Sequence, residues 1–211
     1  MCDDLHWPCN LAASPKHTYR RGNCAVFRKT SQAWGEYSNM AGGFPVIVNG
    51  THILTSEALY QACRLPHLPD VQRVIIDQRS PMAAKMKSKP HRSDSRPDFD
   101  ELRILVMWWT LRVKLACNFR AFSQVLLASN DLPIVEDSHK DAFWGAKALA
   151  SDNDALVGQN ILGQLLTNLR EMVRGQTAES LCIVDPLRIN DFLLLGEGIR
   201  RVSGRELTSS P

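Results

Sequence analysis

The sequence has no run of apolar residues near the roughly 20 that a membrane-spanning helix needs, so no membrane partner is expected. Its start, MCDDLHWPCN, has no basic stretch followed by an apolar one, and no secretory signal is expected. Six cysteines (Cys2, Cys9, Cys24, Cys63, Cys117, Cys182) are scattered without a CxxC pair. That pattern argues against a disulfide framework and for reduced thiols in a cytoplasmic protein. The six histidines have no metal-ligand spacing, and no acidic cluster offers oxygen ligands, so neither metal nor cofactor is expected. A Walker-type phosphate loop, GxGxxG, HExxH and GxSxG are all absent. Repeats and low-complexity tracts are absent too. A net charge of +3 is too small to announce nucleic-acid binding, but it does not forbid a phosphate-bearing ligand.

What is present suits one globular domain with tails: 211 residues, 44% hydrophobic and 22% charged. The stretch Leu105–Cys117, LVMWWTLRVKLAC, is apolar on nearly every side of a helical wheel. It predicts a buried central helix starting at Phe99. That helix carries Arg112 and Lys114. Two readings stand. Both side chains reach out to water or to a carboxylate, or a lysine among tryptophans and leucines loses its proton readily and acts as a nucleophile.

The surrounding pattern predicts an α+β domain, predominantly helical, with a small sheet and hairpin. Residues 1–22 lack a period and read as an irregular arm ordered by packing of Trp7. Ala25–Phe27 reads as a strand, and Asn49-Gly50 as a hairpin turn joining Val46–Val48 to Thr51–Leu54. Thr55-Ser56 caps a helix from Glu57, and Glu57 and Gln61 share one face. The helix dipole alone would explain Glu57. Helices are predicted over Pro69–Gln78 and from Ser80-Pro81. Lys85–Arg96 reads as a basic loop, either solvated or facing phosphates.

Further on, Arg120–Leu127 is helical and Leu132–Glu136 a strand. Asp141-Ala142-Phe143-Trp144-Gly145 sets a carboxylate and two aromatics at a turn, and Ser151–Asp154 is loop. Asn160 is placed to cap the last core helix, where exposed amides also suit a phosphate. Arg200–Pro211 reads as a frayed basic tail. The expected organisation is an arm (1–22), a domain (23–175) and an extension packing on it (176–211).

The blocks GEYSN (Gly35–Asn39), TSEALYQA (Thr55–Ala62), SPMAAK (Ser80–Lys85), VMWWTLRVKL (Val106–Leu115), LPIVE, DAFWG (Asp141–Gly145) and GQNILGQLL (Gly158–Leu166) fall in an order that resembles the NADAR superfamily, or YbiA-like fold. The resemblance covers roughly Val26 to Val173. There are departures. Family members often read SEHYFQAQK where this chain has SEALYQACR, and KF where it has Lys114-Leu115. A frequent tryptophan before the central helix is matched only by Phe99, and a glycine pair by Ala146-Lys147.

The resemblance implies an N-glycosidase acting on ribose joined to an amine nitrogen. Most similar are the antitoxins of DarT-type toxins, which remove ADP-ribose from the amino group of guanine in DNA. The alternatives are cleavage of phosphoribosylated riboflavin intermediates and a non-catalytic reader of ADP-ribose. It also implies catalytic roles for Glu57, Lys114 and Asp141. Because an amine leaves poorly unless protonated, Glu57 is assigned as general acid and Asp141 as the second carboxylate. Lys114 either captures the opened sugar as a Schiff base or holds the carboxylates in place. Arg28, Glu36, Tyr37, Ser38, Asn39, Gln61, Trp144, Gly145 and Asn160 are implied to bind substrate. Of these, Tyr37 and Trp144 either stack on a base or belong to the core.

Overall fold

The computed structural model describes residues 11–204; Trp7 and the tail at 205–211 lie outside the described residues. Along the chain come β1 (His17–Arg20), β2 (Ala25–Phe27), β3 (Val46–Val48) and β4 (Thr51–Ile53). Helices α1 (Ser56–Ala62), α2 (Pro69–Ile76), α3 (Pro81–Ser88), α4 (Phe99–Cys117) and α5 (Phe119–Ala128) follow. Then come β5 (Ile134–Glu136), β6 (Lys147–Leu149), β7 (Asp152–Gly158), α6 (Ile161–Gly175) and α7 (Ala178–Leu181). Four two-residue strands close the order: β8 (Ile183–Val184), β9 (Leu193–Leu194), β10 (Glu197–Gly198) and β11 (Val202–Ser203). The class is α+β with helix predominating.

Two compact units are present. The chain up to Ser38 and Ser123–Gly175 form the first; Asn39–Phe122 and the chain after Gly175 form the second.

In the first unit β7 pairs antiparallel with β1 on one side and β6 on the other. β2 and β5 run parallel, with Ala25 opposite Ile134. Two expectations are corrected here. His17–Arg20 is a strand, not irregular arm, and Ser151–Asp154 runs into another. β1 is exposed along most of its length, so its sequence has no alternation to reveal it. It is held by its distant partner: Arg20 pairs with Asp152, and Arg21 Nε donates to the Asn153 carbonyl at 2.8 Å.

The α6 residues Ile161, Leu165, Leu166 and Leu169 are buried at helical spacing. A Cβ at Gly163 would fall on the Ile134 carbonyl, so only glycine lets α6 lie this close to β5. Arg170, also buried, donates to Ser129 Oγ at 2.9 Å and to the Leu132 carbonyl at 2.8 Å. A buried guanidinium needs such acceptors.

The second unit is built on α4. Every residue from Val106 to Leu111 and from Val113 to Cys117 is buried. Trp109 Nε1 donates to the Asp185 carbonyl at 3.0 Å, and its ring meets Phe192 edge-on. Burial pulls the Arg112 guanidinium down, and Asp185 opposes that shift. The expected fraying from Arg200 is corrected, because Val202 and Ser203 pair with Val184 and Ile183.

Asn49 (φ 51°) and Gly50 (φ 76°) form the hairpin turn that twisted antiparallel strands favour. α3 is longer than expected. Its cap, Ser80 Oγ, accepts from Ala83 N at 3.1 Å, and the helix continues through Lys85 and Lys87 to Ser88. Two lysines in the last turn suit the negative end of a helix.

Candidate active site

Thr55 Oγ1 accepts from Ala58 N at 3.3 Å and starts α1. The next amide but one, Glu57 N, donates to the Asn39 carbonyl at 3.0 Å. The main chain of Asn39 thus fixes the backbone that carries Glu57. Glu57 is 7% exposed. Its Oε1 accepts from Gln61 Nε2 at 2.9 Å and lies 3.9 Å from Lys85 Nζ. Gln61 Oε1 in turn accepts from Ser88 Oγ at 2.9 Å and Arg64 Nη1 at 3.0 Å. Arg64 Nη2 donates to Ser95 Oγ at 2.9 Å, and its guanidinium sits over the Phe99 ring.

Two buried polar atoms beside Glu57, Ser56 Oγ and Asn39 Oδ1, have no hydrogen-bond partner among the described residues. An unpaired buried polar group costs about 1–3 kcal/mol, which a ligand hydroxyl would recover. The other amide atom, Asn39 Nδ2, meets Met107 Sδ at 2.9 Å.

Lys114 is completely buried. Its Nζ lies 4.1 Å from the centre of the Phe122 ring and 4.8 Å from that of Phe44. Ring faces attract a cation, so this contact would suit an ammonium. Asn118 Nδ2 donates to the Lys114 carbonyl at 3.0 Å and the Pro45 carbonyl at 2.8 Å, tying the end of α4 to the chain entering β3.

In the first unit Asp141 Oδ1 accepts from Phe143 N and Trp144 N, both at 2.9 Å. That local turn locks the carboxylate. Trp144 is half-buried and packs edge-on to Phe143. Carbonyls of the same turn consume the start of α6. Gln159 N donates to Ala142 O, Asn160 N to Gly145 O, Ile161 N to Phe143 O, and Leu162 N to Trp144 O, all within 2.7–3.1 Å. These four amides are taken by the turn, so the expectation that they would hold a phosphate is corrected.

A model of one family, the NADAR domain, matches residues 26–174. The chain belongs to the NADAR family. It is 31% identical over 150 residues to N-glycosidase YbiA of Escherichia coli, covering 70% of this chain and 86% of that one. It is 28% identical over 151 residues to N-glycosidase Npun_R5314 of Nostoc punctiforme, covering 71% and 92%. Riboflavin biosynthesis protein VVA0006 of Vibrio vulnificus is 32% identical over 166 residues, 76% of this chain but only 43% of that longer protein. The NMR structure of E. coli YbiA superposes with a TM-score of 0.59 at 28% identity, covering 71% of this chain and 85% of that one. The fold is YbiA-like.

Within this NADAR chain, the second unit gathers Glu57, Gln61 and Asn39, and also carries Lys114. The first carries Asp141, Trp144 and Gly145, with Arg28. Several substrate-binding expectations are corrected. Tyr37 is core: fully buried, stacked on Trp34, edge-on to Phe27, with its hydroxyl donating to Val125 O at 2.9 Å. Asn160 does not cap α6 with its side chain. Its Oδ1 accepts from Glu136 N at 3.0 Å and its Nδ2 donates to Ile134 O at 2.8 Å, so the amide joins α6 to β5. Gln61 serves Glu57 instead of facing a ligand with a free amide. Gly145 is explained by packing, because a Cβ there would strike the Glu136 carbonyl.

Glu36 is exposed and Ser38 half-buried. No signal in the sequence marks Arg64, Ser88 or Trp34 as site residues, and Ser56 is marked there only as part of a helix cap. Trp34 holds a left-handed φ of 63°, uncommon for a bulky side chain and a marker of a constrained site. Among the described residues no group of three or more His, Cys, Asp or Glu is placed to hold a metal. No helix there is long and apolar enough to cross a membrane.

Proposed function

We propose that this chain is an N-glycosidase that hydrolyses the bond between an anomeric ribose carbon and an amine nitrogen. The observation that carries the reading is Glu57, buried on α1 of a NADAR chain and oriented by Gln61. Its carboxyl delivers the proton that turns the amine into a leaving group. Asp141, locked by two amides, balances charge at the anomeric carbon or orients the attacking water. Lys114 has two chemically distinct uses: its amine attacks the opened sugar, or its ammonium steadies the carboxylates. Borohydride reduction during turnover separates them, since only the first leaves a trapped adduct on Lys114.

The substrate in this reading is ADP-ribosylated guanine in DNA. Lys85, beside Glu57, opens a run of exposed cations through Lys87, Lys89 and Arg92 that suits a phosphate backbone. The chain then acts as the antitoxin that reverses the mark of a DarT-type ADP-ribosyltransferase, in the cytoplasm. The test is incubation with an oligonucleotide carrying ADP-ribosylated guanine, followed by mass spectrometry, with Glu57→Ala as control. The expected result is free ADP-ribose and restored guanine, lost in the variant. Release that falls more steeply with salt on a long oligonucleotide than on the modified nucleoside supports the backbone contact; equal slopes overturn it.

A second reading, cleavage of a free phosphoribosylated riboflavin intermediate, is favoured by the name of the Vibrio relative. Turnover of that compound, with none on the oligonucleotide, would decide for it. ADP-ribose binding without either cleavage would identify a reader.

A further inference from the structure

The proposed substrate carries a diphosphate, and the amides of Gln159, Asn160, Ile161 and Leu162 at the start of α6 are already bonded to the Ala142–Gly145 turn. A pocket wholly within the first unit offers other groups. It has a volume of about 390 Å³ and is lined by Arg21, Val26, Arg28, Gln32, Ala33 and Asp137. Ordinary ligand sites run from roughly 300 to 1,000 Å³.

At its base Asp137 is 5% exposed at the side chain, and its Oδ2 lies 2.9 Å from Arg21 Nη1 and 4.0 Å from Arg28 Nη1. Arg21 is already committed, because its Nε also donates to the Asn153 carbonyl. Arg28 is different. Its side chain is 40% exposed and touches His139. Two guanidinium groups against one carboxylate leave the pocket with a surplus positive charge. Both of these ion pairs fall on Asp137 Oδ2, and Oδ1 enters neither. The pocket therefore combines the half-exposed Arg28 guanidinium with a carboxylate oxygen outside both ion pairs, while Val26 and Ala33 supply an apolar wall.

We propose that this pocket binds the phosphorylated ribose of the substrate. Arg28 takes phosphoryl oxygens in its planar fork, and Asp137 accepts from a ribose hydroxyl. Arg21 holds Asp137 in place. The pocket is tied to the turn that carries Asp141 and Trp144. Asp137 bridges to Ala146, Ser138 N donates to the Ala146 carbonyl, and Ser138 Oγ accepts from Asp141 N at 3.1 Å. A ligand seated at Asp137 is thus fixed relative to Asp141. The identity of the ligand as ADP-ribose rests on the reading above; the existence of a site for phosphorylated ribose does not.

The test is calorimetric titration of the full chain with ADP-ribose, ribose 5-phosphate and adenosine. The variants are Arg28→Ala, Arg28→Lys and Asp137→Asn, with Arg200→Ala as a distant charge control. Thermal melts confirm that each is folded. Arg28→Ala should weaken ADP-ribose and ribose 5-phosphate by about tenfold or more, as expected for one lost charged pair of hydrogen bonds. Arg28→Lys should recover part of that loss, and adenosine binding should be unchanged. Asp137→Asn should weaken all three ribose-bearing ligands.

Arg28→Ala binding ribose 5-phosphate as the wild type does, or Arg200→Ala losing as much, overturns the proposal. So does failure of the wild type to bind either phosphorylated ligand. Failure of the parent reading looks different: no release from modified DNA, yet Arg28-dependent binding of ribose 5-phosphate. Conversely, DNA cleavage by Arg28→Ala at the wild-type KM keeps the activity and removes the pocket.

Discussion

Gln61 Nε2 donates to Glu57 Oε1 across one turn of α1, and the same amide accepts from Ser88 and Arg64. Its two ends are both in use, so it orients a carboxylate instead of offering an amide to a ligand. Gln61→Ala should lower kcat by roughly tenfold to a hundredfold, the scale of a misplaced catalytic group, with KM nearly unchanged. A rise in KM at constant kcat would mean that Gln61 binds substrate after all. Steady-state kinetics on the modified nucleoside reads the difference.

Lys114→Met keeps a buried chain of similar length and removes the amine, so the chemistry of the amine is lost while the space stays filled. In the folded variant, checked by thermal melt, release of ADP-ribose should stop if the amine attacks the sugar and slow if the ammonium only steadies the carboxylates. A variant that keeps turnover at the wild-type rate would remove Lys114 from the mechanism.

Asn160→Ala should act on stability alone. It removes two buried hydrogen bonds that join α6 to β5, and about 1–3 kcal/mol should be lost in urea unfolding. Turnover per folded molecule should stay at the wild-type value. A loss of turnover without destabilisation would return Asn160 to the substrate-binding set.

The Cys63 thiol is pushed up to about 12 by burial, and Tyr60 beside it is raised for the same reason. In the unfolded chain the thiol ionises near its ordinary value of about 8.5. Above that pH the unfolded state has released a proton that the folded state retains, so stability falls as pH rises toward 12. Chemical denaturation at pH 8, 9 and 10 should show this decline, and Cys63→Ala should make it shallower. A slope unchanged by Cys63→Ala would show that the thiol does not contribute.

The helices were legible in the sequence because their signals are local. Ser80 and Thr55 cap, Asn49-Gly50 turns, and the apolar length of α4 buries itself, Lys114 included. Glu57 and Asp141 could be named on the family resemblance. What could not be read was made by distant partners. β1 is nearly all exposed and exists because β7 pairs with it. Asn160 has a sequence position that suits a cap, yet β5 offers its side chain two backbone groups. Asp137 and Arg21 stand in segments with no periodic signal, and only the folded first unit brings them within 2.9 Å.

Arg20 and Asp152, paired across the β1–β7 edge, are 132 residues apart. At translation speeds of about 5–20 residues per second, a nascent β1 waits on the order of ten seconds for its partner to leave the ribosome. During that interval α4, with its largely apolar surface, has already been synthesised, while β8 and β11 have not. Neither unit can close from the N-terminal half alone. The chain is therefore expected to depend on chaperones that shelter incomplete polypeptides, and fragments ending before Asp152 should aggregate instead of forming a smaller folded core.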